Sequence, residues 1–332
     1  MQHLAVVKTC FEKAFEKFIC FIEAVLVVPA KATIKTYKIM RYGINYEDEA
    51  LTEMGRQEME KAAFKLPIPS ATRGPPVKLH IVTGTKHWYQ AAFCLWSFSA
   101  TSGRTVMPFI FDDGSLKLEH IEALKRLFPK LRFMGASQTL ERLDEFLPSR
   151  RYPSLRSQQK INPFYKKLLD IHAGEKDWRL QLDADILFFH SPDFLLEWHD
   201  CPNHPLHAKG LKNAYSCSIS YLSELAGQPV RQRVNTGLLG LRGIEIDWEQ
   251  MEFWSKKLVE DGGKPPLLEQ TLWGLHLTGR TCVVPDPEDY VLLPEPPEVH
   301  ECKAIMHHYI SHSRKWYFQR NWKRFPTDGF SL

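Results

Sequence analysis

Gln181-Leu182-Asp183-Ala184-Asp185-Ile186-Leu187-Phe188-Phe189 sets two carboxylates between two apolar runs. Trp178 to Leu182 has the length and composition of a buried strand, and Phe188 and Phe189 return to the core just after the acidic residues. Ser191-Pro192 then reads as an N-cap followed by proline at the first helical position. Two carboxylates on an abrupt turn, held against bulky apolar neighbours, are costly unless a cation lies between them. A hard divalent ion with oxygen ligands suits such a turn and keeps coordination positions open for phosphate oxygens. A solvated turn with ordinary capping carboxylates explains the dipeptide pattern equally well, so the surrounding sequence has to decide.

Working outward, strand and helix patterns alternate from Val77 onward. Val77 to Thr83, Val106 to Phe111, Leu131 to Met134 and Trp178 to Leu182 read as strands. Between them lie helical stripes: Trp88, Ala91, Ala92, Leu95 and Phe98; Ile121, Leu124 and Phe128; Leu140, Leu143 and Leu147; Phe164, Leu168 and Ile171. Such alternation predicts an α/β fold with a mixed, mainly parallel sheet flanked by helices. Ligands in such sheets bind beyond the carboxyl ends of the strands, where Thr83, Asp112 and Asp183 converge. Thr83 and Asp112 are therefore candidate nucleotide contacts, although an Asp-Asp-Gly strand end also makes an ordinary turn.

The N-terminal part reads differently. Phe11, Phe15, Phe18, Ile19, Ile22, Val25 and Leu26 form one apolar helical stripe, and a second, polar helix is expected from Glu47 to Lys65. Pro67 to Pro76 breaks the periodicity, giving a helical extension with linker over residues 1–76 and the α/β domain over 77–332. The seven cysteines are scattered without a CxxC pair, which favours free thiols and a reducing compartment. No run approaches the ~20 apolar residues needed to span a bilayer. The expected location is cytoplasmic, with peripheral membrane contact through the N-terminal helix or the basic-aromatic run Arg314 to Phe325 as the alternative. A formal charge of +4 is small for 332 residues and argues against a dedicated nucleic-acid binder.

Four other segments accompany the acidic turn. Phe164-Tyr165-Lys166-Lys167-Leu168 precedes it; Val234-Asn235-Thr236-Gly237-Leu238-Leu239 and Leu268-Glu269-Gln270-Thr271 follow; His308 with Lys315-Trp316 closes the series. In that order they resemble the landmarks of the GT-A (Rossmann-like) nucleotide-sugar glycosyltransferases, above all the retaining glycogenin-like and bacterial galactosyltransferase group. The chain departs from that pattern at Ser311, where the family has glycine, at Lys315-Trp316, which lack an intervening proline, and at Glu269 and Thr271, which replace aspartates.

The resemblance implies a donor of the nucleoside-diphosphate-sugar class, a UDP-sugar by analogy, and Mn2+ or Mg2+ held by Asp183, Asp185 and His308, with His307 as the rival ligand. It places Lys167 and Lys315 on the diphosphate and Asn235 on the donor sugar or acceptor. Gln270 corresponds to the residue beneath the anomeric carbon in retaining relatives, whereas Glu269 as a general base would point to inversion. The acceptor is open. Two other functions compete: a non-catalytic GT-A-like binding protein, and a phosphohydrolase using Asp183 as nucleophile, which is disfavoured by the mid-chain position of the motif and by Leu187. A zinc clasp from His199, Cys201, His204 and His207 is weaker still, because the spacing is irregular and proline interrupts it.

Overall fold

The computed structural model describes residues 46–71 and 73–325. The apolar stripe of Phe11 to Leu26 lies outside them. Contacts divide the chain into a unit ending at Met54 and one running from Gly55, within the polar helix α1 (Tyr46–Ala63). The second unit contains everything that follows.

Its main sheet has six strands in the order β3-β2-β1-β4-β7-β6. These are β1 (Arg73–Thr83), β2 (Arg104–Asp112), β3 (Arg132–Met134), β4 (Trp178–Leu182), β6 (Leu206–Lys209) and β7 (Val234–Arg242). The first four are mutually parallel, and β7 runs antiparallel to both β4 and β6. β1 starts four residues earlier than its apolar pattern predicts, at Arg73, with its register to β2 shifted before Val77. The shift accommodates Pro75 and Pro76, which have no amide to donate to a ladder.

Helices cover both faces. α2 (Trp88–Ser102) is buried along nearly its whole length, apolar on most sides, as suits a helix inside the core rather than on it. The other helices are α3 (Leu118–Leu127), α4 (Ala136–Phe146), α5 (Pro153–Ile161), α6 (Pro163–His172), α7 (Asp193–Asp200), α8 (Ile219–Ala226), α9 (Trp248–Glu260) and α10 (Leu268–His276). β7 shows how one strand serves two cores: Leu238 joins the cluster around α2, β1 and β4, while Leu239 and Leu241 join the one around α6, α9 and α10.

A second, three-stranded sheet, β5-β9-β8, sits beyond the end of β4. It comprises β5 (Ile186–Phe188), β8 (Tyr290–Leu292) and β9 (Met306–His308). Asp183, Ala184 and Asp185 are the corner at which the chain leaves the large sheet and enters the small one. After the short helix α11 (Glu298–Glu301) and β9 comes α12 (Arg314–Gln319). Here the basic-aromatic run docks through its rings, with Tyr317, Phe318, Trp322 and Phe325 buried in the first core. No described helix is long and apolar enough to cross a membrane. The helix after the acidic turn begins one residue later than Ser191-Pro192 suggests: Pro192 occupies the N-cap position, and the Ser191 hydroxyl donates to Asp193 instead.

Candidate functional site

Both backbone ends of the acidic turn are pinned. Asp183 N–H donates to the Gly237 carbonyl on β7 at 2.7 Å, and the Asp185 carbonyl accepts from Tyr309 N–H at 2.9 Å, just past β9. Pairing of β5 with β9 places His308 opposite Ile186, and so beside Asp185. Strand alternation sends its neighbour the other way. His307 is tied to Glu298 at 2.7 Å and to the Tyr309 hydroxyl at 2.9 Å. Of the two histidines, His308 is therefore the one that faces the aspartates.

Asp183, Asp185 and His308 each present a ligand atom, all within 4.8 Å of one another, and no other such trio of ligands converges among the described residues. The proposed zinc clasp around His199 is not assembled. His308 Nε2 lies 3.2 Å from Asp185 Oδ1 and 3.6 Å from Asp183 Oδ2. Yet this buried nitrogen makes no hydrogen bond of acceptable geometry to either. A buried nitrogen aimed between two carboxylates without bonding either is the arrangement of ligands around a shared centre, and oxygen–oxygen–nitrogen donors suit a divalent cation.

Gly237 makes room for that ring. A Cβ at this position would fall 2.1 Å from His308 Cε1 and 2.5 Å from Nδ1. The Asn235 side chain accepts from the Gly237 amide at 3.1 Å, so the Asn-Thr-Gly segment of β7 shapes the wall behind the histidine.

Two cations flank the pair. Lys167, on α6, donates to Asp183 Oδ1 at 2.8 Å, and Arg314, at the start of α12, donates to Asp185 Oδ2 at 2.9 Å. Burial pushes the Asp185 carboxyl up, but His308 and Arg314 outweigh it and hold the group well below the usual carboxylate range. Burial likewise pulls Lys167 down, and Asp183 and Glu269 more than reverse this, keeping the ammonium charged.

Glu269 lies behind Lys167, with Oε2 at 3.9 Å from the ammonium and accepting from the Thr236 hydroxyl at 2.9 Å. Burial pushes its carboxyl up to about 7, against the opposing pull of Lys167. Its other oxygen, Oε1, has no hydrogen-bond partner. Gln270, next in sequence, turns its amide to the Ala214 carbonyl at 2.7 Å.

The aspartates open on a cavity of about 320 Å³ whose lining includes Thr83, Asp113, Lys167, Asp183, Asp185 and Arg314. Of the other residues expected at the site, Asn235, Glu269 and Gln270 stand outside this lining. Asp112 spends one oxygen on the amides of Gly114, Ser115 and Leu116, the turn-forming alternative, and its neighbour Asp113 faces the cavity. Thr83 is buried on the lining, its hydroxyl without a partner. Lys315 stacks its ammonium 4.5 Å over Trp316, away from the cavity, and Arg314 occupies the place expected for it. Sequence reading missed Arg314; its one signal was position, the first residue of the turn of helix that follows the histidine strand.

No known family profile matches the chain, and no curated protein matches it. Similar solved structures include mouse xyloside xylosyltransferase 1, at 12% identity and TM-score 0.49 over 72% of this chain and 99% of that one. The galactosyltransferase LgtC, in complex with donor and acceptor sugar analogues, is similar at 12% identity and TM-score 0.47, over 75% and 93%. The bifunctional glycosyltransferase WbbM reaches 13% identity and TM-score 0.45 over 73% of this chain and 47% of that one. Likeness at this level is one of fold and carries no weight on chemistry. The architecture found is the one expected, a mainly parallel sheet flanked by helices.

Proposed function

We propose that this chain is a metal-dependent glycosyltransferase of the GT-A type, which moves a sugar from a nucleoside-diphosphate sugar, of the UDP class, to an acceptor. The observation that supports this reading best is the trio Asp183, Asp185 and His308 with Lys167 and Arg314 beside it, the two aspartates and both cations lining one cavity.

Charge counting gives the reason. Two aspartates are balanced by one lysine and one arginine while no cation is bound. A divalent ion held by Asp183, Asp185 and His308 leaves two positive charges in excess, the charge needed to neutralise the diphosphate of a sugar nucleotide. Mn2+ or Mg2+, once bound there, supplies Lewis-acid stabilisation of the departing diphosphate. Lys167 and Arg314 exchange their aspartate partners for phosphate oxygens. At ~4 Å and an effective dielectric near 20, each such pair contributes up to ~4 kcal/mol. That stabilisation counts toward rate only so far as charge builds up on the leaving group.

Thr83 and Asp113 line the same cavity and take the nucleoside. Gln270 and Glu269 remain the residues that set the stereochemical course. Glu269 has the near-neutral carboxyl that a general base requires, and Gln270 is held by the Ala214 carbonyl until substrate competes for its amide. The phosphohydrolase alternative is weakened by the Lys167 ion pair, which ties up an oxygen of the Asp183 carboxylate that would have to attack.

Calorimetric titration of Mn2+ into the wild-type chain and His308→Ala tests the metal site. The expected outcome is one site, weakened at least ~10-fold by the substitution. Equal binding by both proteins would refute the trio as a metal centre.

A further inference from the structure

A second cavity, of about 380 Å³, adjoins the first and shares His87, Gln90 and Arg314 with it. Among the described residues, its remaining lining is Arg56, Lys86, Tyr89 and Phe318. We infer that this cavity is the acceptor subsite, and that the acceptor is a sugar bearing an anionic group, phosphate or carboxylate. The inference rests on the transferase reading and names the substrate class of that same site.

The lining is one-sided in charge. The chain has 43 basic and 39 acidic residues, close to parity, yet among the described residues three cations and a histidine line this cavity and no carboxylate does. The α2 helix begins here, at His87, with no acidic residue in its first turn, so the positive end of its dipole adds to the same field. Tyr89 and Phe318 supply apolar wall, which suits the hydrophobic face of a pyranose.

Arg56 is placed by close packing. Gly55 approaches α12 so closely that a Cβ there would fall 2.1 Å from the Phe318 carbonyl oxygen. The next residue is thereby brought to the cavity beside Phe318. Arg56 pairs with Glu60 one turn along its own helix at 3.4 Å, both side chains about one-third exposed. Lys86 is exposed at the rim. Arg314 spans the two cavities, and its attraction to an anion in the second draws the acceptor toward the donor. A reacting hydroxyl and an anomeric carbon must meet within ~3.5 Å, which adjoining cavities allow.

The test is calorimetric titration of glucose 6-phosphate, glucuronate and glucose into the chain, alone and saturated with UDP and Mn2+. We expect at least one of the two anions to bind in the presence of UDP, and glucose far more weakly. Binding of glucose 6-phosphate alone assigns a phosphate, and of glucuronate alone a carboxylate. The double variant Arg56→Ala/Lys86→Ala should lose roughly tenfold in anion affinity and keep wild-type UDP–Mn2+ binding. No preference over glucose, competition between UDP and the anion for one site, or an unaffected double variant would each overturn the inference. Anion binding in a chain that does not bind UDP would keep the cavity and sink the transferase reading; UDP binding without anion binding would do the reverse.

Discussion

Substituting Gly237 by alanine should damage the metal site with every ligand residue still in the sequence. The added Cβ falls 2.1 Å from His308 Cε1, whereas carbons in contact sit ~3.5–4.0 Å apart. The ring must retreat by more than ~1 Å, although metal–ligand distances tolerate only ~0.2 Å. His308 is 3% exposed and sits on a strand paired on both sides, so retreat means distortion of β9. Overpacking of this kind typically costs ~1–3 kcal/mol. In a His308→Ala background the obstruction is gone, and Gly→Ala inside a strand is then neutral or stabilising by up to ~1 kcal/mol. Urea denaturation of the four proteins of this cycle should give a coupling energy of ~1–4 kcal/mol, and Mn2+ titration should find Gly237→Ala as impaired as His308→Ala. A coupling below ~0.5 kcal/mol, or wild-type manganese affinity in Gly237→Ala, would show that the glycine does not make room for a ligand.

Arg314→Ala should weaken UDP binding in the presence of Mn2+ at least ~10-fold, whereas Lys315→Ala should stay within ~2-fold; a reversed ranking would return the diphosphate contact to Lys315. Lys167→Met leaves Asp183 and buried Glu269 without their cation and should cost ~3–5 kcal/mol in metal-free buffer, partly restored by Mn2+. Melting curves with and without the ion measure both effects, and a cost independent of metal would separate Lys167 from the site. Burial lowers the folded-state pKa of His172 and of His276 to about 3, against an unfolded value near 6.5. The unfolded chain therefore takes up protons first as pH falls, and stability should drop from near pH 6.5 down toward pH 3. Each histidine should contribute about 1–2 kcal/mol of that loss between pH 7 and pH 5. Urea melts of His172→Gln should show a visibly shallower acid slope, and an unchanged slope would show that His172 does not titrate differently in the two states.

The acidic turn was legible because strand, carboxylates and returning apolar residues are contiguous in sequence, and both aspartates stand where the pattern of Trp178 to Phe189 puts them. What joins them was less so. Choosing between His307 and His308 needs the register of β9 against β5, a non-local pairing that adjacent histidines do not encode. Asp112 and Asp113 pose the same problem at the end of β2: alternate residues face opposite ways, and the turn claims the first of them. Arg314 was obscured by the resemblance itself, which drew attention to Lys315-Trp316. The phase of α12 then turns the arginine to the cavity and the lysine onto the indole. The four prolines between Pro67 and Pro76 hid the start of β1, because their local preference reads as linker while the neighbouring β2 still offers pairing at Arg104.

Titration of the purified chain with UDP, with and without Mn2+, followed by thermal stability, tests the central claim most directly. A ligand that binds only the folded state at ~100 times its Kd adds ~2.7 kcal/mol, which raises Tm by several degrees. The account predicts a UDP-induced rise that requires manganese and disappears in Asp185→Ala. A rise of equal size without metal, or in Asp185→Ala, would contradict the metal-held donor, and no rise with UDP under either condition would contradict the transferase reading itself.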